Sequence, residues 1–110
     1  MKIKNIFAPE ITEVELSETE IEFVSMLAAG VEKKKAAKIL SMTYYKQRKL
    51  FDKLGLTVKG RKHHVQAVTL FMENKIIKDE IFSELYKKYG LIECKEMTEF
   101  IKNEVLKKSC

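Results

Sequence analysis

The sequence predicts an all-α fold, a four-helix head followed by two C-terminal amphipathic helices. Three observations carry that expectation. Apolar residues recur at steps of three and four, and nowhere does a strand-length stretch alternate strictly with β-branched enrichment. Proline occurs once, at Pro9, and glycine four times, so helices have few interior breakers. The chain has 110 residues, of which 45% are hydrophobic and 34% charged. That length is typical of one domain and sufficient for a core without disulfide or metal staples.

The first helix opens with Ser17-Glu18-Thr19-Glu20, a capping box in which Ser17 accepts from the third helical amide and Glu20 reaches back. Ile21, Val24, Leu27 and Ala28 give it one apolar face, and Gly30 is placed to end it left-handed. A second helix spans about Lys33 to Leu40, packing through Ala36, Ala37 and Leu40. Its start is in local conflict, because Glu32 is a poor N-cap and Lys33, Lys34 and Lys35 crowd a helix end that is already partly positive. A docked phosphate would resolve that conflict. The turn Ser41-Met42-Thr43 leads to a third helix, capped by Thr43, with Leu50, Phe51 and Leu54 as its buried stripe. Termination at Gly55 is favoured over continuation to Gly60, because an interior glycine costs a helix ~1 kcal/mol. Leu56 to Lys62 reads as a loop turning at Lys59-Gly60. Three more helices follow: His63 to Glu73 with Val65, Val68 and Met72 in line; Lys78 to Tyr89 with Ile81, Phe82, Leu85 and Tyr89 in line; and Lys95 to Lys107 with Met97, Phe100, Ile101 and Val105 in line. Gly90 stops the fifth helix.

Charge and cysteine usage narrow the function classes. No apolar run approaches the ~18 residues of a membrane span, and MKIKNIFAPEITEVEL lacks a signal peptide's apolar stretch. Cys94 and Cys110 match no metal-ligand spacing, which leaves a cytoplasmic protein with free thiols, no metal and no cofactor. Residues 1–30 carry two lysines against six glutamates, a net −4. Residues 31–65 carry nine lysines and two arginines against Glu32 and Asp52, a net +9. The remaining residues balance at zero. A central basic block attracts a phosphate backbone; its alternative is a solvated lysine face. His63 and His64, being adjacent, point about 100° apart on a helix and would not share a metal. Asp52 and Glu73 have no acid-base partner in the sequence, and no phosphate loop or nucleophile motif appears, so the chain is expected not to be an enzyme.

Residues 33–54 carry helix-turn-helix spacing: Ala37 small at the helix crossing, Ser41 at the tight turn, Met42 as an apolar plug and Leu50 returning to the core. Ser41 stands where glycine is usual, and Gln47 where valine or isoleucine is common. The wider segment 15–71 resembles the LuxR/GerE-type DNA-binding domain of bacterial transcription regulators. The resemblance rests on Glu15-Leu16-Ser17-Glu18-Thr19-Glu20, Met26-Leu27-Ala28-Ala29-Gly30, Lys34-Lys35-Ala36-Ala37-Lys38-Ile39-Leu40, Lys53-Leu54-Gly55-Leu56 and Gln66-Ala67-Val68. Sigma-factor region 4 shares much of this pattern. Two departures stand out: the usual Thr-Val pair is absent from the third helix, and that helix is about one turn short while the loop after it is longer.

The resemblance implies a sequence-preferring, double-stranded DNA-binding transcription regulator with its third helix in the major groove. Tyr44, Tyr45, Arg48 and Lys49 would face bases, and Lys33, Lys34, Lys46, Lys53, Arg61 and Lys62 would contact phosphates. The competing structural roles are packing on the second helix for the tyrosines and a solvated face for Arg48. The alternative function is a protein-interaction module of the same fold, binding another regulator or RNA polymerase. Residues 1–110 are expected to form one domain, with 15–74 as the DNA-binding part and 75–110 as a helical extension. The extension either completes the monomer's core or supports a homodimer through Val68, Met72, Phe82, Phe100 and Ile101.

Overall fold

Helix boundaries in this chain follow from cap chemistry at both ends. The computed structural model describes residues 1–56 and 63–108, ordered as α1 (Glu18–Ala28), α2 (Lys33–Ile39), α3 (Tyr44–Lys53), α4 (His63–Glu73), α5 (Asp79–Tyr89) and α6 (Ile92–Lys108). The fold is all-α, as the periodicity predicts. At the head of α1 both halves of the capping box form: the Glu20 amide donates to Ser17 Oγ at 3.1 Å, and the Ser17 amide donates to Glu20 Oε1 at 2.8 Å. Thr43 caps α3 by accepting from the Lys46 amide at 3.2 Å. Glu32 makes no side-chain cap on α2, so the conflict read in the sequence persists in the fold.

The C-terminal ends share one device. After α1, α2, α3 and α4 a left-handed residue lets its own amide and the next one double back on the helix, the Schellman arrangement. Those residues are Gly30 (φ +92°), Ser41 (φ +53°), Gly55 (φ +72°) and Lys75 (φ +56°). The closing bonds run from Val31 N to Met26 O, Met42 N to Ala37 O, Leu56 N to Phe51 O and Ile76 N to Phe71 O, all between 2.8 and 3.0 Å. The third helix therefore ends at Gly55, and residues 57–62, with the Lys59-Gly60 turn, lie outside the described residues.

A single buried cluster reaches from Ile3 to Cys94, with Phe23, Val24, Met26, Leu50, Leu54, Leu70 and Phe71 among its members. α1 is its axis. It packs against α2, α4 and α5, so five consecutive residues, Glu22 to Met26, are buried instead of a single stripe. Of the expected face only Val24 is buried; Ile21, Leu27 and Ala28 are half-buried. In α2 the fully buried alanine is Ala36, whereas Ala37 is half-buried. α4 reverses expectation more sharply. It turns Ala67, Leu70 and Phe71 inward and leaves Val65 and Met72 exposed, with Val68 half-buried.

The first sixteen residues form an arm whose anchors are polar. Lys2 and Glu13 make an antiparallel bridge, reinforced by Val14 N to Met1 O at 2.7 Å. Asn5 is buried and its carboxamide bonds at both ends, with Nδ2 donating to Leu54 O at 2.7 Å and Oδ1 accepting from the Phe7 and Ala8 amides. Asn74 pairs with both backbone groups of Lys4, accepting its amide at 2.7 Å and donating to its carbonyl at 3.0 Å. The arm thus grips the ends of α3 and α4.

α5 and α6 pair with each other, and α5 leans on α1. Phe82, Leu85, Leu91 and Cys94 join the common core, so the extension supplies core residues. Lys88 reaches Glu22 at 3.3 Å, and the Tyr89 hydroxyl donates to the same carboxylate at 3.1 Å. Lys35 of α2 pairs with Glu93 of α6 at 3.2 Å. α6 begins at Ile92, three residues earlier than Lys95; Met97 and Ile101 are half-buried, Phe100 is exposed, and the Val105 side chain lies outside the described residues.

Two stability outcomes follow at the left-handed residues. Ser41→Gly relieves a strained conformation and raises the unfolding free energy by about 1 kcal/mol in urea titrations. Gly55→Ala lowers it by about 2 kcal/mol or more. At Gly55 a Cβ would meet Ala8 Cβ at 2.6 Å and Ile11 Cδ1 at 2.7 Å. A third outcome concerns the buried thiol. Burial, with Glu93 alongside, pushes the Cys94 pKa from 9.0 up to about 11. The neutral form is thus favoured in the fold, and its contribution to stability is complete below pH 9 and lost as pH rises through about 11. In a Cys110→Ser background, native Cys94 resists iodoacetamide at pH 8 and reacts once unfolded. The alkaline loss it causes is missing from Cys94→Ala.

Candidate nucleic-acid interface

α3 sorts its side chains into a buried side and an exposed one. Gln47, Leu50, Phe51 and Leu54 face the core. At about 100° per residue, Tyr44 and Arg48 share one flank, Tyr45, Lys49 and Asp52 point away from the core, and Lys46 and Lys53 share the opposite flank. Tyr44 is 75% and Tyr45 65% exposed, and Lys46, Arg48, Lys49 and Asp52 are exposed with them. The Lys49 ammonium lies 4.8 Å from the centre of the Tyr45 ring, a cation–π contact within one helical turn. The Tyr45 hydroxyl beside it raises the Lys49 pKa. All four residues expected to face bases are therefore accessible, and Tyr44 is not packed away on α2.

Gln47 explains its own departure from the usual apolar residue. It is buried, and Nε2 donates to Met42 O at 3.0 Å, satisfying a carbonyl of the interhelical turn. The side chain thereby ties the first turn of α3 to the turn before it. Met42 is the buried plug the spacing predicts.

The lysines expected on phosphates divide by what they touch. Lys33, Lys34 and Lys46 are exposed. The Lys33 ammonium sits 5.7 Å from the Phe51 ring, whose other neighbour is the His63 ring at 5.8 Å, so α2, α3 and the head of α4 meet around Phe51. Lys53 is engaged internally: Nζ donates to Glu20 Oε1 and to Glu15 O, each at 2.7 Å. Its charge is matched inside the fold, which removes most of its pull on an external phosphate. Arg61 and Lys62 lie outside the described residues.

Beside α3 runs an open groove of about 790 Å³. Ser17, Thr19 and Glu20 form one wall, Leu40 and Met42 the floor, and Lys46, Lys49, Asp52 and Lys53 the other wall. The groove and Asp52's place on the outward face are not legible in the sequence, where Asp52 enters through its charge and as a carboxylate without an acid-base partner. Asn5 was missed too; its signal is a lone asparagine in an apolar segment, which carries no period.

The residues expected to pair two copies do not behave alike. Met72 and Phe100 are each 61% exposed, Val68 and Ile101 are half-buried, and Phe82 is 4% exposed. Phe82 belongs to the core between α5 and α1, so its side chain is closed to a second chain. Among the described residues, no group of three or more His, Cys, Asp or Glu is placed to hold a metal ion. No described helix is long and apolar enough to cross a membrane.

Replacing Gln47 with leucine leaves the Met42 carbonyl without its donor and lowers the unfolding free energy by about 1–3 kcal/mol. Thermal unfolding followed by circular dichroism reads that loss. Comparison with known protein families, curated proteins and solved structures finds no match.

Proposed function

We propose that the protein is a sequence-preferring regulator of transcription that binds double-stranded DNA, akin to the LuxR/GerE-type domain its residues 15–71 resemble. One observation carries the reading: α3 holds Gln47, Leu50, Phe51 and Leu54 in the core while exposing Tyr44, Tyr45, Arg48 and Lys49 together. A helix that packs one side and lifts aromatic and cationic side chains from the other is shaped for a major groove. Exposed Lys33, Lys34 and Lys46 flank that face and would neutralise phosphates. Arg48 is the arginine of α3 and can grip guanine through two parallel hydrogen bonds. Arg61 and Lys62 extend the same charge in sequence.

A single helix-turn-helix reads few base pairs, and a two-fold homodimer would supply two half-sites about 34 Å apart. The exposed Val65 and Met72 of α4, with half-buried Val68, supply one surface for it, and exposed Phe100 with half-buried Ile101 supplies another on α6. The chemistry requires no cofactor, and the setting is the cytoplasm. A second reading, an interaction module for another regulator or RNA polymerase, draws on Asp52, an exposed carboxylate on the face that would meet DNA.

Fluorescence anisotropy on labelled duplex across a salt series decides between them. Duplex binding gives log K falling linearly with log salt, at about −0.9 per phosphate neutralised. Lys34→Ala reduces that slope by about one and weakens all sequences alike, whereas Arg48→Ala costs about 1–3 kcal/mol on the preferred site and flattens discrimination at one base pair. Lys53→Met leaves the slope unchanged, because Glu20 already neutralises Lys53. Absence of duplex binding at low salt, with capture of a regulator or polymerase subunit in its place, selects the second reading.

A further inference from the structure

We infer that the tyrosine pair opening α3 reads thymine methyl groups, so that the preferred half-site sets thymines beside the guanine held by Arg48. This rests on the duplex-binding reading above and specifies the bases recognised. Tyr44 and Tyr45 are the first two residues of α3, and the first residues of a recognition helix are those that meet base edges. Tyr44 and Tyr45 are 75% and 65% exposed, and each presents an aromatic ring whose apolar area gains from being covered. In the major groove the apolar group on a base edge is the C5-methyl of thymine, while the other edges present hydrogen-bonding groups.

The two tyrosines are each followed one turn later by a cation, Tyr44 by Arg48 and Tyr45 by Lys49. Tyr44 and Arg48 lie about 40° apart on the helix, so a methyl under one and a guanine under the other fall on neighbouring base pairs. The Lys49 ammonium, 4.8 Å from the Tyr45 ring centre, holds that ring against the helix. A ring already restrained loses less freedom on binding than a free one. Lys49 thus acts as a buttress for Tyr45, leaving base-edge hydrogen bonding to Arg48.

The test uses the full chain and duplexes selected by it from a random pool. Each thymine of the selected site is replaced in turn by deoxyuridine, which pairs identically and lacks only the methyl. Affinity is read by anisotropy at one salt concentration. We expect one or more positions at which the change weakens binding about 3- to 5-fold, the equivalent of leaving one methyl unburied. Tyr44→Phe and Tyr45→Phe keep that sensitivity, because the ring and not the hydroxyl makes the contact. Tyr44→Ser or Tyr45→Ser abolishes it at its own position, while circular dichroism reports an unchanged fold, as both side chains are exposed. Tight binding with no deoxyuridine effect anywhere, or serine variants that keep the effect, refutes the tyrosine assignment and leaves duplex binding intact. No duplex binding at low salt overturns both.

Discussion

Where α3 ends, the chain turns left-handed at Gly55 into space with no room for a Cβ, because Ala8 and Ile11 of the arm already stand there. Asn5 completes the junction by donating to the Leu54 carbonyl, an acceptor that the end of a helix leaves open. The direction of α3 is therefore set from both ends. Gln47 and Thr43 fix its first turn to the preceding loop, and the arm fixes its last. Lys53 adds a third tie, reaching the Glu20 carboxylate that also closes the capping box of α1. The capping box and α3 consequently share one carboxylate, which couples the head of α1 to the tail of α3.

Charge is partitioned by the same geometry. The central segment is basic by a net +9, yet the fold matches Lys53 with Glu20 and Lys35 with Glu93. Besides Lys35, the exposed cations of α2 and α3 are Lys33, Lys34, Lys38, Lys46, Arg48 and Lys49, accompanied by Glu32 at the head of α2 and Asp52 on α3. Counting lysines along the chain overstates the cationic face. Only packing reveals which of them are already satisfied, because Glu20 and Glu93 lie 33 and 58 residues away from their partners.

Local chemistry was legible in the sequence; the facing of α3 was legible too, that of α1 and α4 was not. The capping box, Thr43 as N-cap and the left-handed stops at Gly30, Gly55 and Gly90 involve residues within five positions of one another, so the sequence contains every participant. α4 shows the opposite case. It carries two apolar stripes, Val65-Val68-Met72 and Ala67-Leu70-Phe71, and periodicity alone cannot say which one α1 covers. α1 itself defeats a one-stripe reading, since it is surrounded on three sides. The exposed face of α3 was legible because its inward residues are mostly aliphatic or aromatic; Gln47 stood out as an anomaly whose partner, the Met42 carbonyl, no side-chain pattern encodes. The arm was invisible for a related reason, its anchors being asparagine side chains on distant backbone groups.

Those anchors also set a timetable. Asn5 bonds to a carbonyl 49 residues ahead of it, and Lys4 to a side chain 70 residues ahead. During synthesis at about 5–20 residues per second, the arm leaves the ribosome roughly 4–14 s before Asn74 can follow. Ile3 and Val14, apolar residues destined for the core, precede in that order of synthesis the helices they cluster with. The arm is thus made well before α4, and its pairing with Asn74 is among the later contacts to close.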